Sequence, residues 1–282
     1  MRKKIISLIY TIVKQDNAFE LLEDELMQMD DDTFSQILLT CGAIPEEFNH
    51  DSSEEKLWAK SCDVLLAMAW NKLGIKSEVL RVRGDSADVR GASDKYTIVG
   101  DAKAFRLSRT AKNQKDFKIT ALDDWRRSDT FACLVSPLYQ FPSRSSQIYE
   151  QAKSKNVTLL SYAHLKFFIQ YTDPKTDLTP LWTLAQKLEP TKDARSYWEA
   201  LDDVTVELTN QSYQILKTYL RDSGTYVSQI AQEGIKYWQN VISEYRTLTK
   251  EEAIERLIRA ERLDSKIVQI KATLARAKNL HG

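Results

Sequence analysis

The sequence predicts an α/β protein in which a mixed β-sheet core is flanked by N- and C-terminal helices. Apolar, β-branched runs bounded by turn residues indicate strands in the middle of the chain, at residues 77–82, 87–90, 96–102, 131–136 and 157–160. Apolar residues at helical spacing dominate on both sides of that region. A helix predicted between the last two strands makes a strand, crossover helix and strand unit, which indicates partly parallel pairing.

The N-terminal segment predicts helices. Residues 3–42 form two or three short amphipathic helices, and Gly42 and Pro45 close the last one. The basic start and the apolar residues behind it are superficially like a signal peptide. Their helical spacing and the lack of a small-residue cleavage site favour an amphipathic helix instead. No apolar run approaches the roughly 20 residues that a membrane span needs, so we expect no membrane partner.

A long apolar helix follows. Ser52 and Glu55 have the spacing of a capping box, and the helix they open continues to Leu73, where Gly74 ends it. Because this helix is apolar on nearly all sides, we expect other elements to cover most of its surface.

The remaining elements are predicted from polar periodicity and breaker residues. A polar helix covers roughly residues 110–127 and another covers residues 145–155; beyond residue 162 only helices are expected. Thr249 and Glu252 predict a second capping box, and Gly224 is predicted to break a long helical stretch over residues 194–248. We expect a single domain over residues 1–282, with helical segments at 1–48 and 171–282 and the α/β core at 50–170.

The composition excludes several kinds of chemistry. Forty basic residues balance forty acidic ones, so attraction to a polyanion must be local. The three cysteines and three histidines are widely scattered, which gives no support to a zinc site or a nucleophile paired with histidine. Odd, unpaired cysteines fit a reducing cytoplasm, where each is expected to be a small core residue. The remaining candidates are carboxylates, lysines and a bound metal.

Charge is concentrated after the third predicted strand. Residues 15–55 hold thirteen acids and no Lys or Arg, whereas residues 103–118 hold one acid, Asp116, and a cation at every third position: Lys103, Arg106, Arg109, Lys112, Lys115 and Lys118. Such a run is usually a solvated helix face. Since acids are nearly absent within it, little pairing is expected, and we interpret the run as a DNA-binding surface. Asn113 and Gln114 lie beside Lys112 and Lys115, and these are residue types that read bases in the major groove.

A D/E-x-K triplet at Asp101, Ala102 and Lys103 is the candidate catalytic site. Five such triplets occur in the chain, but only this one ends an apolar strand and has an acid, Asp88, on a neighbouring strand. A hairpin can bring Asp88 and Asp101 within reach of one divalent cation, with the Ala102 carbonyl as a further oxygen ligand. Lys103 projects on the same side of the strand as Asp101, where it can position or deprotonate an attacking water.

Simpler interpretations of these residues stay open. Asp88 can be a surface acid beside a turn, and Asp101 with Lys103 can be an exposed ion pair at a strand end. Glu55 can be only a helix cap, or a carboxylate that reaches the metal from the start of the apolar helix. Asp63, in the middle of that helix, is more typical of a hydrogen-bonded core residue than of a ligand.

At these residues the chain resembles the HindIII-type restriction endonucleases of the PD-(D/E)xK superfamily. The most specific block is DAKAFRLSRTAKNQKDFK at residues 101–118. Weaker similarities are S-x-E-K-L-W at residues 53–58, R-G-x-x-x-D-V at 83–89, and the segments TKEEAIE and DSKI near the C-terminus. Ala87 stands where the superfamily pattern has Pro. The fold implied is the restriction-endonuclease-like mixed sheet with flanking helices.

The resemblance implies an activity and a set of roles. It implies Mg²⁺-dependent cleavage of double-stranded DNA by a homodimer at AAGCTT with 5′ overhangs, with Mn²⁺ able to substitute and with a cognate DNA methyltransferase in the host. Asp88 and Asp101 are the implied metal ligands and Lys103 the catalytic lysine. The same resemblance places Asn113 and Lys115 in the base-reading region, Asp116 as a tuning residue near the active site, and Glu55 as a helper at the metal.

Two other functions remain open from the sequence. One is a sequence-specific DNA-binding protein with the same fold and an inactive nuclease centre. The other is a related nuclease that acts on branched or damaged DNA. Digestion of a plasmid with and without Mg²⁺ distinguishes the three, because discrete fragments are expected only from a site-specific enzyme.

Overall fold

The protein was analysed as a computed structural model that describes residues 2–81, 86–109, 114–261 and 263–279, with side chains described through Lys271. Its centre is a five-stranded sheet with the order β2-β3-β4-β6-β7. The strands are β2 (Lys76–Val79), β3 (Val89–Ala92), β4 (Thr97–Ala102), β6 (Phe131–Ser136) and β7 (Val157–Ser161). The pairs β2-β3 and β3-β4 are antiparallel, whereas β4-β6 and β6-β7 are parallel. The predicted mixed α/β fold is confirmed.

Two further short strands form a separate parallel pair. These are β1 (Ala43–Ile44) and β5 (Phe105–Arg106), with Ala43 opposite Phe105. The Phe105 amide also donates to the Gly42 carbonyl at 2.9 Å. This pair ties the chain that leaves β4 to the N-terminal helices.

The described residues form thirteen α-helices. On the N-terminal side are α1 (Arg2–Ile12), α2 (Ala18–Met27), α3 (Asp31–Thr40) and α4 (Ser53–Lys72). Within and after the sheet are α5 (Gln114–Phe117), α6 (Ile119–Arg126), α7 (Gln147–Lys155), α8 (Tyr162–Tyr171), α9 (Thr179–Trp182) and α10 (Ala194–Thr209). The last three are α11 (Tyr213–Thr247), α12 (Lys250–Ala260) and α13 (Leu263–Asn279). Three helices before α4 and the buried Ile5, Ile9 and Ile12 of α1 agree with the predicted amphipathic start.

Helix α4 is the central helix of the core, as its composition predicts. An unbroken run of buried residues extends along it from Ser61 to Trp70. It packs against β2, β3 and β4 on the sheet and against α2, α1 and α8 elsewhere. Gly100 of β4 allows the close approach, because a Cβ built there would stand 2.5 Å from Cη2 of Trp70 and 3.0 Å from Cδ2 of Leu66. Side chains of α4 therefore pack directly against the backbone of β4 near the end of that strand.

The cysteines behave as predicted. Cys41, Cys62 and Cys133 are all free and buried. Each is a small core residue, and burial raises the pKa of the Cys133 thiol well above its ordinary value.

Two helix predictions are wrong. The helix expected over residues 110–127 is interrupted at Lys118, whose φ of 51° is left-handed, while residues 110–113 lie outside the described part. Phe117 and Ile119 are both buried on either side of it, so tertiary packing fixes the break. Gly224 does not break a helix: it lies inside α11, and the interruption falls instead at Asn210, which has a φ of 51°.

The Ser52 cap is confirmed only in part. The Ser52 hydroxyl accepts a bond from the Glu55 amide at 3.1 Å. The Glu55 carboxylate does not return the bond to Ser52; it accepts from the Asp51 amide at 2.6 Å. The second predicted box is complete, with bonds in both directions between Thr249 and Glu252.

The chain forms two compact units, Met1–Gly234 and Ile235–Gly282. The second unit consists of the end of α11 with α12 and α13. Within it, Arg256 lies 3.7 Å from Glu244 and 5.1 Å from the centre of the Tyr245 ring. No helix in the described ranges is both long enough and apolar enough to cross a membrane.

Candidate active site

Asp101 and Asp88 become neighbours through the pairing of β3 with β4. Val89 is opposite Gly100 in this register, and the Asp88 amide donates to the Gly100 carbonyl at 3.2 Å. Asp88 precedes Val89 and Asp101 follows Gly100, so the two acids lie at the same end of this strand pair, and Asp88 is close enough to raise the pKa of Asp101. Asp101 is buried, whereas the Asp88 side chain is one-third exposed. The hairpin thus delivers the acid pair that the sequence predicts.

Lys103 stands beside this pair. Its ammonium forms an ion pair with the Asp101 carboxylate, its amide donates to the Val135 carbonyl at 2.7 Å, and its carbonyl accepts from the Tyr162 hydroxyl at 3.1 Å. The two backbone bonds hold the chain rigidly after β4. The ion pair is mostly buried, so it is not the exposed strand-end pair that the sequence left open.

Lys60 completes the cluster from α4, and the sequence analysis did not single it out. Its ammonium lies 2.6 Å from Oδ1 of Asp88 and 3.2 Å from Oδ2 of Asp63. Asp63 is buried and hydrogen-bonded, which agrees with its interpretation as a core polar residue. A signal for Lys60 existed: Lys60 and Asp63 are charged residues at i and i+3 in the mostly apolar middle of the helix.

The three carboxylates of Asp63, Asp88 and Asp101 repel one another in this cluster. Burial raises the pKa of Asp63 well above its ordinary value, and the nearby Asp88 and Asp101 raise it further against the opposing effect of Lys60. Burial also raises the pKa of Asp101, opposed mainly by Lys103 and reinforced by Asp88. Burial acts to lower the pKa of Lys60, but Asp63 and Asp88 outweigh it and the pKa lies above its ordinary value.

A divalent cation fits this cluster by ligand chemistry. The carboxylates of Asp63, Asp88 and Asp101 are opposed by the ammonium groups of Lys60 and Lys103, and Lys118 also acts on Asp101. Mg²⁺ prefers oxygen ligands and is commonly held by one or two carboxylates with waters and a substrate phosphate. Asp88 and Asp101 supply such oxygens, and Ala102 follows directly with its carbonyl on the same strand.

An open pocket of about 520 Å³ adjoins the cluster and gathers five of the residues that the sequence singles out. Lys103 lines it from the catalytic strand; the other four are Glu55, Arg106, Arg109 and Asp116. Its remaining wall comes from Ile44, His50, Ala104, Phe105 and Ser108. The pocket therefore connects the lysine of the D-x-K triplet to the predicted DNA-binding residues.

Glu55 and Arg106 hold each other at this pocket. The Arg106 Nε donates to Oε1 of Glu55 at 3.2 Å, and its Nη1 donates to the Pro45 carbonyl at 3.2 Å. The other Glu55 oxygen accepts from the Asp51 amide. Glu55 is thus a cap and an arginine partner at the pocket wall, and Arg106 links the start of α4 to the strand that leaves the catalytic triplet.

The other side of the pocket is lined by Arg109 and Asp116. Lys115 precedes Asp116 in the chain. Arg109 forms an ion pair with Asp116, and its guanidinium carbon lies 5.8 Å from the centre of the Phe105 ring. Lys115 is exposed on α5. The expectation that the cations would find few acids is wrong: Glu55 pairs with Arg106 from a distant part of the chain, while Asp101 pairs with Lys103 and Asp116 with Arg109 from nearby. Lys112 and Asn113 lie outside the described residues.

Among the residues that the structure describes, a group outside the carboxylate cluster has ligand atoms close enough together to hold a metal ion. The ligand atoms of His50, Asp51 and Glu55 lie within 4.8 Å of one another. His50 and Asp51 are exposed, and both Glu55 oxygens already accept hydrogen bonds from within the protein. Oxygen-only ligands suit Mg²⁺ better than a set that contains imidazole, so the Asp88 and Asp101 cluster is the stronger candidate.

The mixed five-stranded sheet, with its flanking helices and a D-x-K triplet at the end of β4, defines a restriction-endonuclease-like fold. A model of the HindIII restriction endonuclease family matches residues 6–274. The chain is also 32% identical over 279 residues to the type II restriction enzyme HindIII of Haemophilus influenzae, an alignment that covers 95% of this chain and 93% of that enzyme.

The chain therefore belongs to the HindIII restriction endonuclease family. It is a type II restriction endonuclease, and the resemblance carried by residues 101–118 is confirmed over nearly the whole chain.

Proposed function

We propose that the protein hydrolyses double-stranded DNA at the palindrome AAGCTT, leaving 5′ overhangs, in a reaction that depends on Mg²⁺ and accepts Mn²⁺. Asp88, Asp101 and Lys103 carry the reaction. The observation that supports this most directly is the β3-β4 pairing: it brings Asp88 and Asp101 to the same end of the two strands, while Lys103 pairs with Asp101 and lines the pocket.

Each residue of the site has a distinct role in this proposal. Asp88 and Asp101 hold the divalent cation, with the Ala102 carbonyl as a further ligand. When bound, such a cation polarises the scissile phosphate and lowers the pKa of a water. The Lys103 ammonium orients the attacking water and stabilises the negative charge that builds up on the phosphate in the transition state. The backbone bonds of Lys103 to Val135 and Tyr162 keep it in place, which limits the reorganisation that catalysis requires.

The residues after β4 bind the duplex. Arg106, Arg109 and Lys112 contact phosphates, and Asn113 and Lys115 read base edges, in which Asn pairs with adenine and Lys with guanine. Asp116 holds Arg109 and so sets where its guanidinium points. Glu55 does the same for Arg106 at the pocket wall. Both acids act on the site through the arginines.

A homodimer matches the two-fold symmetry of the palindrome. Apolar residues recur along α11 with three- and four-residue steps at Ile235, Trp238, Ile242 and Tyr245, and their exposed fractions run from 43% to 58%. Helix α12 has no buried residue, and α13 exposes apolar side chains as well. A second copy covers this apolar face of residues 235–270, which carries ten large exposed apolar side chains. A standard interface buries about 800 Å² per partner. The whole chain acts as one endonuclease, in a cytoplasm that also holds a DNA methyltransferase of the same specificity.

Digestion of a sequenced plasmid tests the activity. The wild-type protein with Mg²⁺ gives discrete fragments whose ends map to AAGCTT, and chelation of the metal stops cleavage. Asp101→Asn and Lys103→Ala lose at least a thousand-fold in cleavage rate and still shift a duplex that contains the site. Asp173→Asn, in an unrelated exposed D-x-K triplet, is the matched control and cuts at the wild-type rate.

Three results contradict the proposal. Wild-type cleavage by Asp101→Asn removes the metal assignment. A shifted band without fragments in Mg²⁺ points to a DNA-binding protein with an inactive centre. Cleavage confined to branched substrates points to the third function that the sequence leaves open.

A further inference from the structure

Lys60 occupies the oxygens that a divalent cation needs. Its ammonium bridges Asp88 at 2.6 Å and Asp63 at 3.2 Å, and Asp88 is a proposed metal ligand. Within the described residues, Lys60 is the cation that forms an ion pair with Asp88. An ammonium so placed neutralises part of the carboxylate cluster before any metal enters.

The Lys60 side chain is also able to move away from the two carboxylates. Forty-two per cent of the Lys60 side chain is exposed, whereas Asp63 is almost fully buried, so the ammonium sits at the solvent side of the cluster. A lysine side chain is a flexible four-carbon stem with a strongly hydrated head, and it readily exchanges a carboxylate for water. Lys103 differs in this respect, because its ion pair is only 16% exposed on the lysine side.

We infer that Lys60 is an internal competitor of the metal: it holds Asp88 in the metal-free protein and is displaced when a divalent cation takes that carboxylate. The inference rests on the proposed metal site at Asp88 and Asp101. A divalent cation bound to Asp88 and the Lys60 ammonium would repel each other, and this repulsion at close range is only partly screened at the protein surface. Lys60 is thus a positioning residue that sets how much metal the enzyme needs.

Binding of Mg²⁺ alone to the full-length protein, without DNA, tests the inference by isothermal titration calorimetry. Lys60→Met removes the competing charge, and we expect the dissociation constant for Mg²⁺ to fall about ten-fold or more. Lys60→Gln also removes the charge but keeps a hydrogen-bond donor for Asp88. It serves as the second variant should Lys60→Met fold poorly, and we expect it to lower the dissociation constant for Mg²⁺ as well. Lys60→Arg retains the charge and binds Mg²⁺ within about three-fold of wild type.

Lys56→Met is the matched control, since Lys56 is exposed one turn earlier on α4. It leaves the affinity for Mg²⁺ unchanged. Unchanged or weaker Mg²⁺ binding by both neutral Lys60 variants overturns the inference, because Lys60 would then support the ligand geometry and not oppose the metal.

Asp101→Asn separates this failure from a failure of the proposed site. Loss of Mg²⁺ binding in Asp101→Asn, combined with no gain in the Lys60 variants, rejects the role of Lys60 alone. Wild-type Mg²⁺ binding in Asp101→Asn rejects the proposed metal site itself, and the competitor with it.

Discussion

Gly100→Ala tests how closely the sheet and α4 are fitted at the active site. The new methyl group would lie 2.5 Å from Cη2 of Trp70, 3.0 Å from Cδ2 of Leu66 and 3.1 Å from Cζ2 of Trp70. Trp70 is fully buried and its ring packs edge-on against Trp182 at 6.4 Å between centroids, so the ring has little room to retreat. Overpacking of this kind costs about 1–3 kcal/mol.

The assay is chemical unfolding of the purified protein followed by circular dichroism. Gly100→Ala lowers the denaturant midpoint by the equivalent of about 1–3 kcal/mol, with an unchanged slope. Because the displaced α4 carries Lys60 and Asp63, we also expect the affinity for Mg²⁺ to change in the same variant. A variant within about 0.5 kcal/mol of wild type refutes the close fit.

Gly224→Ala is the matched control for that measurement. Gly224 lies inside α11, and an added Cβ would meet nothing within 4 Å. Alanine is the better helix former by about 1 kcal/mol, so this change stabilises the protein or leaves it unaffected. A loss of stability in Gly100→Ala without a loss in Gly224→Ala shows that the cost comes from steric overlap and not from replacing a glycine in itself.

Two further predictions concern the surface. Leu257→Glu, on the apolar face of residues 235–270, shifts the protein from dimer to monomer in sedimentation velocity, while Met27→Glu, at a similarly exposed apolar residue of the first unit, leaves the dimer intact; a dimeric Leu257→Glu variant rejects that face as the interface. Lys95 and Thr179 lower the pKa of Asp177 to about 2. A depressed carboxyl pKa stabilises the fold above the ordinary value near 3.9, and this is lost as the pH falls through about 2. The melting temperature of Asp177→Asn is therefore slightly below wild type at pH 6 and equal to it near pH 2; an equal deficit at both values contradicts the assignment.

The strands were predictable because their signals are local. Residues 131–136 are buried throughout and form β6 with the predicted bounds, and β4 and β7 differ from prediction by one residue at one end. Interruptions of helices were harder to predict, since they depend on what the neighbouring residues pack against. Lys118 adopts a left-handed conformation because Phe117 stacks on Phe141 and Ile119 is buried, which no local pattern reveals.

The candidate site likewise contains contacts that the sequence predicts and contacts that it does not. Asp101 and Lys103 are two residues apart, so the period of a strand predicts that they project together. Lys60 meets Asp88 across 28 residues and Arg106 meets Glu55 across 51, and nothing in the intervening sequence encodes those contacts. The sequence therefore did not reveal that Glu55 pairs with Arg106 of the cation run after β4.

Those internal pairs alter how the enzyme meets a duplex. Arg106 and Arg109 are each engaged by an acid of the same pocket, so at long range they add almost no attraction for phosphate. In the proposed DNA contacts, a stretch of DNA has to come near enough to replace Glu55 and Asp116 as the partners of these arginines. A DNA sequence that fits the site poorly would not replace these acids, and the enzyme would then leave it for another stretch of DNA.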